Sequence, residues 1–269
     1  MAFNAAEGWS RDVTEDIAND LQDVWSDRVG MPTPVEKFIQ EHATQRMARQ
    51  LSFAFEGFAK STANAYLRRM FKAFEFCIPT TGTKVPSGPE WLHEIKYDGF
   101  RLRVERDGDR VRLITRGGYD WSKLYPWIVE AALKNRTKHF VIDGEAVILG
   151  VDGISDFNAL HSGQHNEEVQ LCAFDLLALD GDDLRKLPLS IRKANLARLL
   201  VRRPDGIFVG PFEQGEIGPD LFMAACNMGL EGMVSKRADR PYRAGRCPHW
   251  IKVKNRKHPA MYRVKDAFS

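Results

Sequence analysis

Between Leu102 and Leu113 apolar residues recur at every second position on either side of Asp107-Gly108. Leu102, Val104, Val111 and Leu113 fall on one face of two extended runs, and an Asp-Gly step suits a tight turn between antiparallel strands. A side-chain period of two is a strand signature and does not fit a helix. Two further apolar runs rich in β-formers follow, residues 140–149 and 169–179. Helices are predicted between the strands. One covers Trp127 to Leu133 behind Pro126 in a first-turn position. A second covers Ile191 to Val201 with Ser190 as N-cap. A third covers Asp220 to Met228 and stops at Gly229. Hairpins mixed with helices imply an α+β fold.

A different period precedes this region. Ile17, Leu21, Val24 and Trp25 recur at helical spacing before Gly30, and residues 35–76 run without proline and with a single glycine, Gly57. A helical N-terminal segment over residues 1–77 is predicted. Residues 78–90, rich in Pro, Gly and Thr, read as a linker or an extended strand leading into a body over 91–256, with a tail at 257–269.

Charge follows the same division. The net charge of +3 hides 9 Lys/Arg against 11 Asp/Glu in residues 1–80 and 30 against 25 in residues 81–269. A mildly basic body suits a polyanion such as ATP or DNA. No run of 18 apolar residues exists, so no membrane partner is expected, and the N-terminus lacks the layout of a signal peptide. Cys77, Cys172, Cys226 and Cys247 are widely spaced and read as reduced thiols of a cytoplasmic protein.

The chemistry-bearing residues lie in the body. Glu94-Ile95-Lys96-Tyr97-Asp98-Gly99-Phe100-Arg101 sets one lysine among an apolar residue, an aromatic, acids and an arginine, an arrangement able to hold a nucleophilic amine. Thr115-Arg116-Gly117-Gly118 follows the hairpin. Asp143-Gly144-Glu145 puts two carboxylates on one strand face, where like charges repel unless a cation lies between them. Phe174 sits in another apolar run. Glu231-Gly232-Met233-Val234-Ser235-Lys236 and Trp250-Ile251-Lys252-Val253-Lys254 complete the series, the latter projecting two lysines to one side. Trp250 reads as core. Arg237, Arg240, Arg243 and Arg246 form a basic loop, while His161, His165, His249 and His258 show no metal-ligand spacing.

These motifs, in this order over about residues 90–256, resemble the ATP-dependent DNA ligase family, with the flavour of the ligase domains of bacterial end-joining repair proteins. The resemblance implies a nucleotidyltransferase (ATP-grasp-like) adenylation domain of antiparallel sheets flanked by helices. It implies that Lys96 becomes covalently linked to AMP from ATP, with Mg²⁺ or Mn²⁺ assisting, and that AMP passes to the 5′-phosphate of nicked or broken double-stranded DNA. Glu94 is then expected at the adenine edge and Phe174 stacked on the base. Arg101 and Arg116 would hold ribose and phosphates, and Lys252 and Lys254 the α-phosphate. Asp143, Glu145 and Glu231 would supply ribose and metal contacts, Lys236 a phosphate contact, and Asp98 would position Lys96. Neighbouring cations and metal are expected to depress the Lys96 pKa. The same covalent chemistry serves RNA ligation and capping-type transfer, and a non-catalytic nucleotide-binding module is a third reading. Complete ligases of this kind carry an OB-fold after the last lysine motif. Only fifteen residues follow Lys254, too few for a five-stranded barrel, so an OB-fold supplied by a separate chain or end-joining protein is expected for sealing.

Overall fold

The computed structural model of the protein describes residues 74–201 and 205–262. The chain divides into two units, Met1–Lys72 and Ala73–Ser269. The helices expected before residue 74 lie outside the described residues; residues 74–76 carry no regular secondary structure.

Eleven strands are described, grouped in two sheets. The first sheet takes β1 (Cys77–Thr81), β2 (Trp91–Ile95), β9 (Phe212–Gln214), β10 (Gly232–Arg237) and β11 (Gly245–Lys254), in the order β1-β11-β10-β2-β9. The second takes β3 (Phe100–Asp107), β4 (Arg110–Thr115), β5 (His139–Val147), β6 (Gln170–Leu179) and β7 (Asp182–Asp183), in the order β4-β3-β5-β6-β7, with β8 (Ile207–Val209) added beside β6. Most pairings are antiparallel, as expected for the α+β class. The exceptions are β1 with β11 and β6 with β8, which run parallel. The stretch beginning at residue 78 is therefore not a plain linker, since residues 78–81 are built into the first sheet.

The predicted hairpin forms β3 and β4 in the register Val104 opposite Leu113. Its turn lies one residue later than Asp107-Gly108, with Gly108 at φ 64° supplying the left-handed backbone. Helix α1 (Pro126–Lys134) starts on its proline and buries Ile128, Ala131 and Ala132, the i, i+3, i+4 stripe. Helix α2 (Phe157–Ser162) was not legible as a pattern, being only six residues long. Local chemistry fixes it: the Asp156 carboxylate accepts from the Ala159 amide, and Gly163 ends it at φ 67°.

Helix α3 (Leu189–Leu199) begins two residues before the sequence reading placed it, and Ser190 lies inside its first turn instead of capping it. The orphan amides of Leu189 and Ser190 donate to the carbonyls of Arg240 and Ala238, so no side-chain cap is needed. Helix α4 (Gly218–Asn227) likewise starts earlier, with proline in its first turn, and Gly229 follows its end at φ 76°. The main apolar core lies in the second sheet, where Leu102, Val104, Leu113, Ile142, Leu171 and Leu176 pack beneath α1 and α3. Polar ties join the sheets. The Tyr242 hydroxyl, from the β10–β11 loop, donates to Asp143 Oδ2 on β5 at 2.8 Å.

Candidate active site

Pleat alternation puts one row of side chains from each sheet around a cavity of about 580 Å³. In the first sheet Glu94, Val234 and Lys252 stand in register across β2, β10 and β11. In the second, Arg101, Glu145 and Cys172 do so across β3, β5 and β6. All six line the cavity, together with Lys96, Arg116, Phe174, Lys236 and Trp250.

Lys96 lies just beyond β2, where its amide donates to the Gly232 carbonyl at 3.0 Å. Its Nζ meets Glu231 Oε2 at 2.5 Å, and Lys254 Nζ meets the other oxygen of that carboxylate at 2.9 Å. Burial works against the Lys96 charge, but Glu231, Glu145 and Asp98 outweigh it and hold the ammonium more firmly than in water. That is opposite to the depression expected from neighbouring cations, because the groups nearest Lys96 are carboxylates. Glu145 is itself pushed up to about 7 by burial, despite Lys96 and Arg101 nearby. Asp98 does not line this cavity. It belongs to a second hollow beside Ser155 and His258, and its amide takes the Ser155 hydroxyl as acceptor.

The two acids of β5 have different surroundings. Asp143 is fully buried and both its oxygens are taken: Arg101 Nε and Nη2 donate to Oδ1 and Oδ2 at 2.9 and 2.6 Å, and Tyr242 shares Oδ2. The third arm of the guanidinium donates to the Cys77 carbonyl at 2.6 Å. Arg101 is thereby fixed from three sides, with its Cζ 5.2 Å from the rings of Phe76 and Phe174. Glu145 faces the cavity.

Lys236 is paired with a different acid from Lys254. It donates to Glu94 Oε2 at 2.5 Å and lies 3.9 Å from the Phe174 ring centre and 4.1 Å from that of Trp250. The geometry gives it to the aromatic end of the cavity, beside Glu94, Phe174 and Trp250. Trp250 is buried as predicted, yet it also lines the cavity. Arg116 is exposed at the mouth. In the basic loop Arg237 and Arg240 pair with Asp239, while Arg243 and Arg246 are exposed.

Sequence reasoning missed Tyr242, Cys172 and above all Lys193, which reaches Glu94 Oε1 at 2.8 Å from α3. A signal was present. Leu189, Arg192, Lys193 and Leu196 occupy i, i+3, i+4 and i+7, so two cations stand on the inward stripe of a helix. Each needed a buried acid, and each has one, Asp175 for Arg192 and Glu94 for Lys193.

Among the described residues no group of three or more His, Cys, Asp or Glu is placed to hold a metal ion. Of the three acids expected to meet a metal, Glu145 lines the cavity, while both oxygens of Asp143 and of Glu231 are held by cations.

A protein-family model described as ATP dependent DNA ligase domain matches residues 63–254. The chain is 35% identical over 185 residues to the multifunctional non-homologous end joining protein LigD of Pseudomonas aeruginosa, covering 67% of this chain and 22% of that protein. It is 31% identical over 170 residues to a prophage-derived DNA ligase-like protein LigB of Bacillus subtilis, covering 61% of each. Among solved structures, it superposes on the ligase domain of LigD from M. tuberculosis with a TM-score of 0.60 at 33% identity, over 68% of this chain and 61% of that one. A mycobacterial DNA ligase D complexed with ATP and MES gives a TM-score of 0.59 at 31% identity, over the same shares. The chain thus spans about a fifth of the length of the first of these end-joining relatives.

Proposed function

The chain belongs to the ATP-dependent DNA ligase domain family, and on that premise we propose that it adenylates Lys96 and passes the AMP to a DNA 5′-phosphate during end-joining repair. The observation that carries the reading is one cavity lined by Lys96, whose ammonium meets the Glu231 carboxylate shared with Lys254, at one end and by Glu94, Lys236 and Phe174 at the other.

Adenine fits the second end. The Lys236 ammonium is a donor suited to N1 and the Glu94 carboxylate an acceptor suited to the 6-amino group, with the Phe174 ring available for stacking. Guanine presents the reverse pattern, an N1 donor and an O6 acceptor, so the pair favours ATP over GTP. Arg101, clamped by Asp143, presents a fixed cation between base and phosphate ends, and Asp143 acts by orienting it and not as a metal ligand.

At the other end Lys96 attacks the α-phosphorus. A nitrogen–phosphorus bond forms, the bridging bond to the β-phosphate breaks, and the electron pair leaves on pyrophosphate. The ammonium must first lose a proton, and Glu231 Oε2 is the base in hydrogen-bond contact. Lys252 and Lys254 offset charge gathering on the α-phosphate. Magnesium, when held at Glu145 with the phosphates, would add charge neutralisation and ease deprotonation of Lys96. In the second half-reaction a DNA 5′-phosphate oxygen replaces the lysine nitrogen on the α-phosphorus, restoring the amine. The exposure of Arg243 and Arg246 supports contact with backbone phosphates of such a DNA.

The test is covalent labelling. The chain is incubated with α-labelled ATP and magnesium, denatured, and mapped. Acid-labile label on Lys96 that vanishes in Lys96→Ala supports the proposal, and wild type without label refutes it. Nick sealing is then assayed with and without an OB-fold protein added in trans.

A further inference from the structure

Four residues at the back of the cavity close a ring of hydrogen bonds. Arg101 Nη2 donates to Asp143 Oδ2 at 2.6 Å, and the Tyr242 hydroxyl donates to the same oxygen at 2.8 Å. The Cys77 amide donates to the Tyr242 hydroxyl oxygen at 2.9 Å, and the Cys77 carbonyl accepts from Arg101 Nη1 at 2.6 Å. Chemistry fixes the directions. An ionised carboxylate accepts and a peptide N–H donates, so the hydroxyl gives one bond and takes the other. Asp143 and Cys77 are fully buried and Tyr242 is 8% exposed. Arg101 is the member of the ring that lines the cavity.

The ring draws on both sheets. Arg101 and Asp143 stand on β3 and β5, Cys77 opens β1, and Tyr242 lies in the loop between β10 and β11. The two acceptors that hold the guanidinium therefore belong to different sheets, and the Tyr242 hydroxyl is bonded to both residues that supply them. Tyr242 is itself well anchored. Its ring meets Trp250 edge-on at 5.8 Å, and its amide donates to the Arg185 carbonyl at 2.8 Å. We infer that Tyr242 is a positioning residue for nucleotide binding: its hydroxyl sets the spacing of Asp143 and the Cys77 peptide, and through them the placement of the Arg101 guanidinium in the cavity. Without the hydroxyl, the buried Cys77 N–H loses its partner and Asp143 Oδ2 loses one of two donors. The β1 peptide then shifts, and Arg101 keeps the carboxylate while losing the carbonyl. A guanidinium held on one side presents a displaced edge to a bound nucleotide. Tyr242 thus acts on the nucleotide through Arg101, without touching it.

The inference rests on the reading of the cavity as an ATP site, and its test separates binding from transfer. ATP binding to the full chain is titrated by calorimetry for wild type, Tyr242→Phe, Arg101→Lys and the double variant, beside thermal melting and covalent labelling. The arginine Nε–H groups are followed by NMR, with the Arg101 signal assigned by its loss in Arg101→Lys. Tyr242→Phe is expected to weaken ATP about tenfold in the wild-type background and less than about twofold in the Arg101→Lys background. It is also expected to move the Arg101 signal and to speed its hydrogen exchange. Equal weakening in both backgrounds overturns the inference, since a merely structural tyrosine acts whether or not Arg101 is present. So does wild-type affinity in Tyr242→Phe, or an Arg101 signal left in place. Should Tyr242→Phe fail to fold, a ring-difluorinated tyrosine takes the place of Tyr242. Its more acidic hydroxyl donates more strongly, so a shifted Arg101 signal with altered ATP affinity supports the inference and an unmoved signal overturns it. A wild type that binds ATP but takes no label refutes the transfer reading, and the variants still decide this one. A wild type that binds no ATP overturns both.

Discussion

Asp143 and Glu145 stand two residues apart on β5 and have opposite duties. Alternation gives them one strand face, but burial divides them. Asp143 has both oxygens filled by Arg101 and Tyr242, so removing it strands a buried guanidinium. Asp143→Ala is expected to cost about 3–5 kcal/mol of stability, read by denaturant unfolding. Glu145 faces the cavity with its proton affinity raised by burial, and no buried cation depends on it alone. Glu145→Gln is expected to keep the melting temperature while lowering Lys96 labelling about 10–100-fold. A Glu145→Gln chain that melts early with normal labelling would reverse the assignment. The spacing Asp-Gly-Glu showed that both acids share a face. It could not show that one of them is already spent on an arginine, because that arginine comes from another strand.

At the scale of elements, the chemistry is set by how β10 sits between β2 and β11. Lys96 is held by the Gly232 carbonyl, and Lys254 stands opposite Gly232. Gly232 has φ 145°, and a Cβ there would come within 2.1 Å of the Val253 carbonyl oxygen. Nothing but glycine fits between these strands. Gly232→Ala is expected to destabilise by about 1–3 kcal/mol, and to reduce labelling beyond that loss because the Lys96–Glu231–Lys254 cluster spreads. Chemical unfolding beside labelling at saturating ATP checks both parts; labelling at the wild-type level would show that the cluster does not depend on this packing. The hairpin and α1 were legible because each is dictated within a dozen residues, by alternation and a glycine turn or by a proline start and an apolar stripe. The start of α3 was not. Its first amides are satisfied by Ala238 and Arg240, some 50 residues away, so local cap chemistry pointed to Ser190 and tertiary bonding overrode it.

At the scale of the whole described unit, buried charge joins the two sheets. Arg192 is fully buried, its Nε and Nη2 each 2.8 Å from an Asp175 oxygen on β6, while Nη1 reaches the Leu187 carbonyl and that of Arg240 just past β10. Arg192→Met leaves Asp175 buried and unpaired. A loss of about 3–5 kcal/mol is expected, or a fall in melting temperature on the order of 10 °C. Adding Asp175→Leu should restore much of it, since replacing both charges removes the unpaired one; a double variant no more stable than the single would sink this account. The sequence by itself determined the α+β class, the order of the motifs and which side chains share a strand face, because these follow from a period of two and from residue chemistry alone. Only the tertiary structure decided that Lys236 belongs with Glu94 and not with the late lysines, that Asp143 serves Arg101, and that Lys193 stands behind Glu94. Those choices are made where strands from two sheets and a helix meet, and a buried charge takes whichever opposite charge the packing brings within reach.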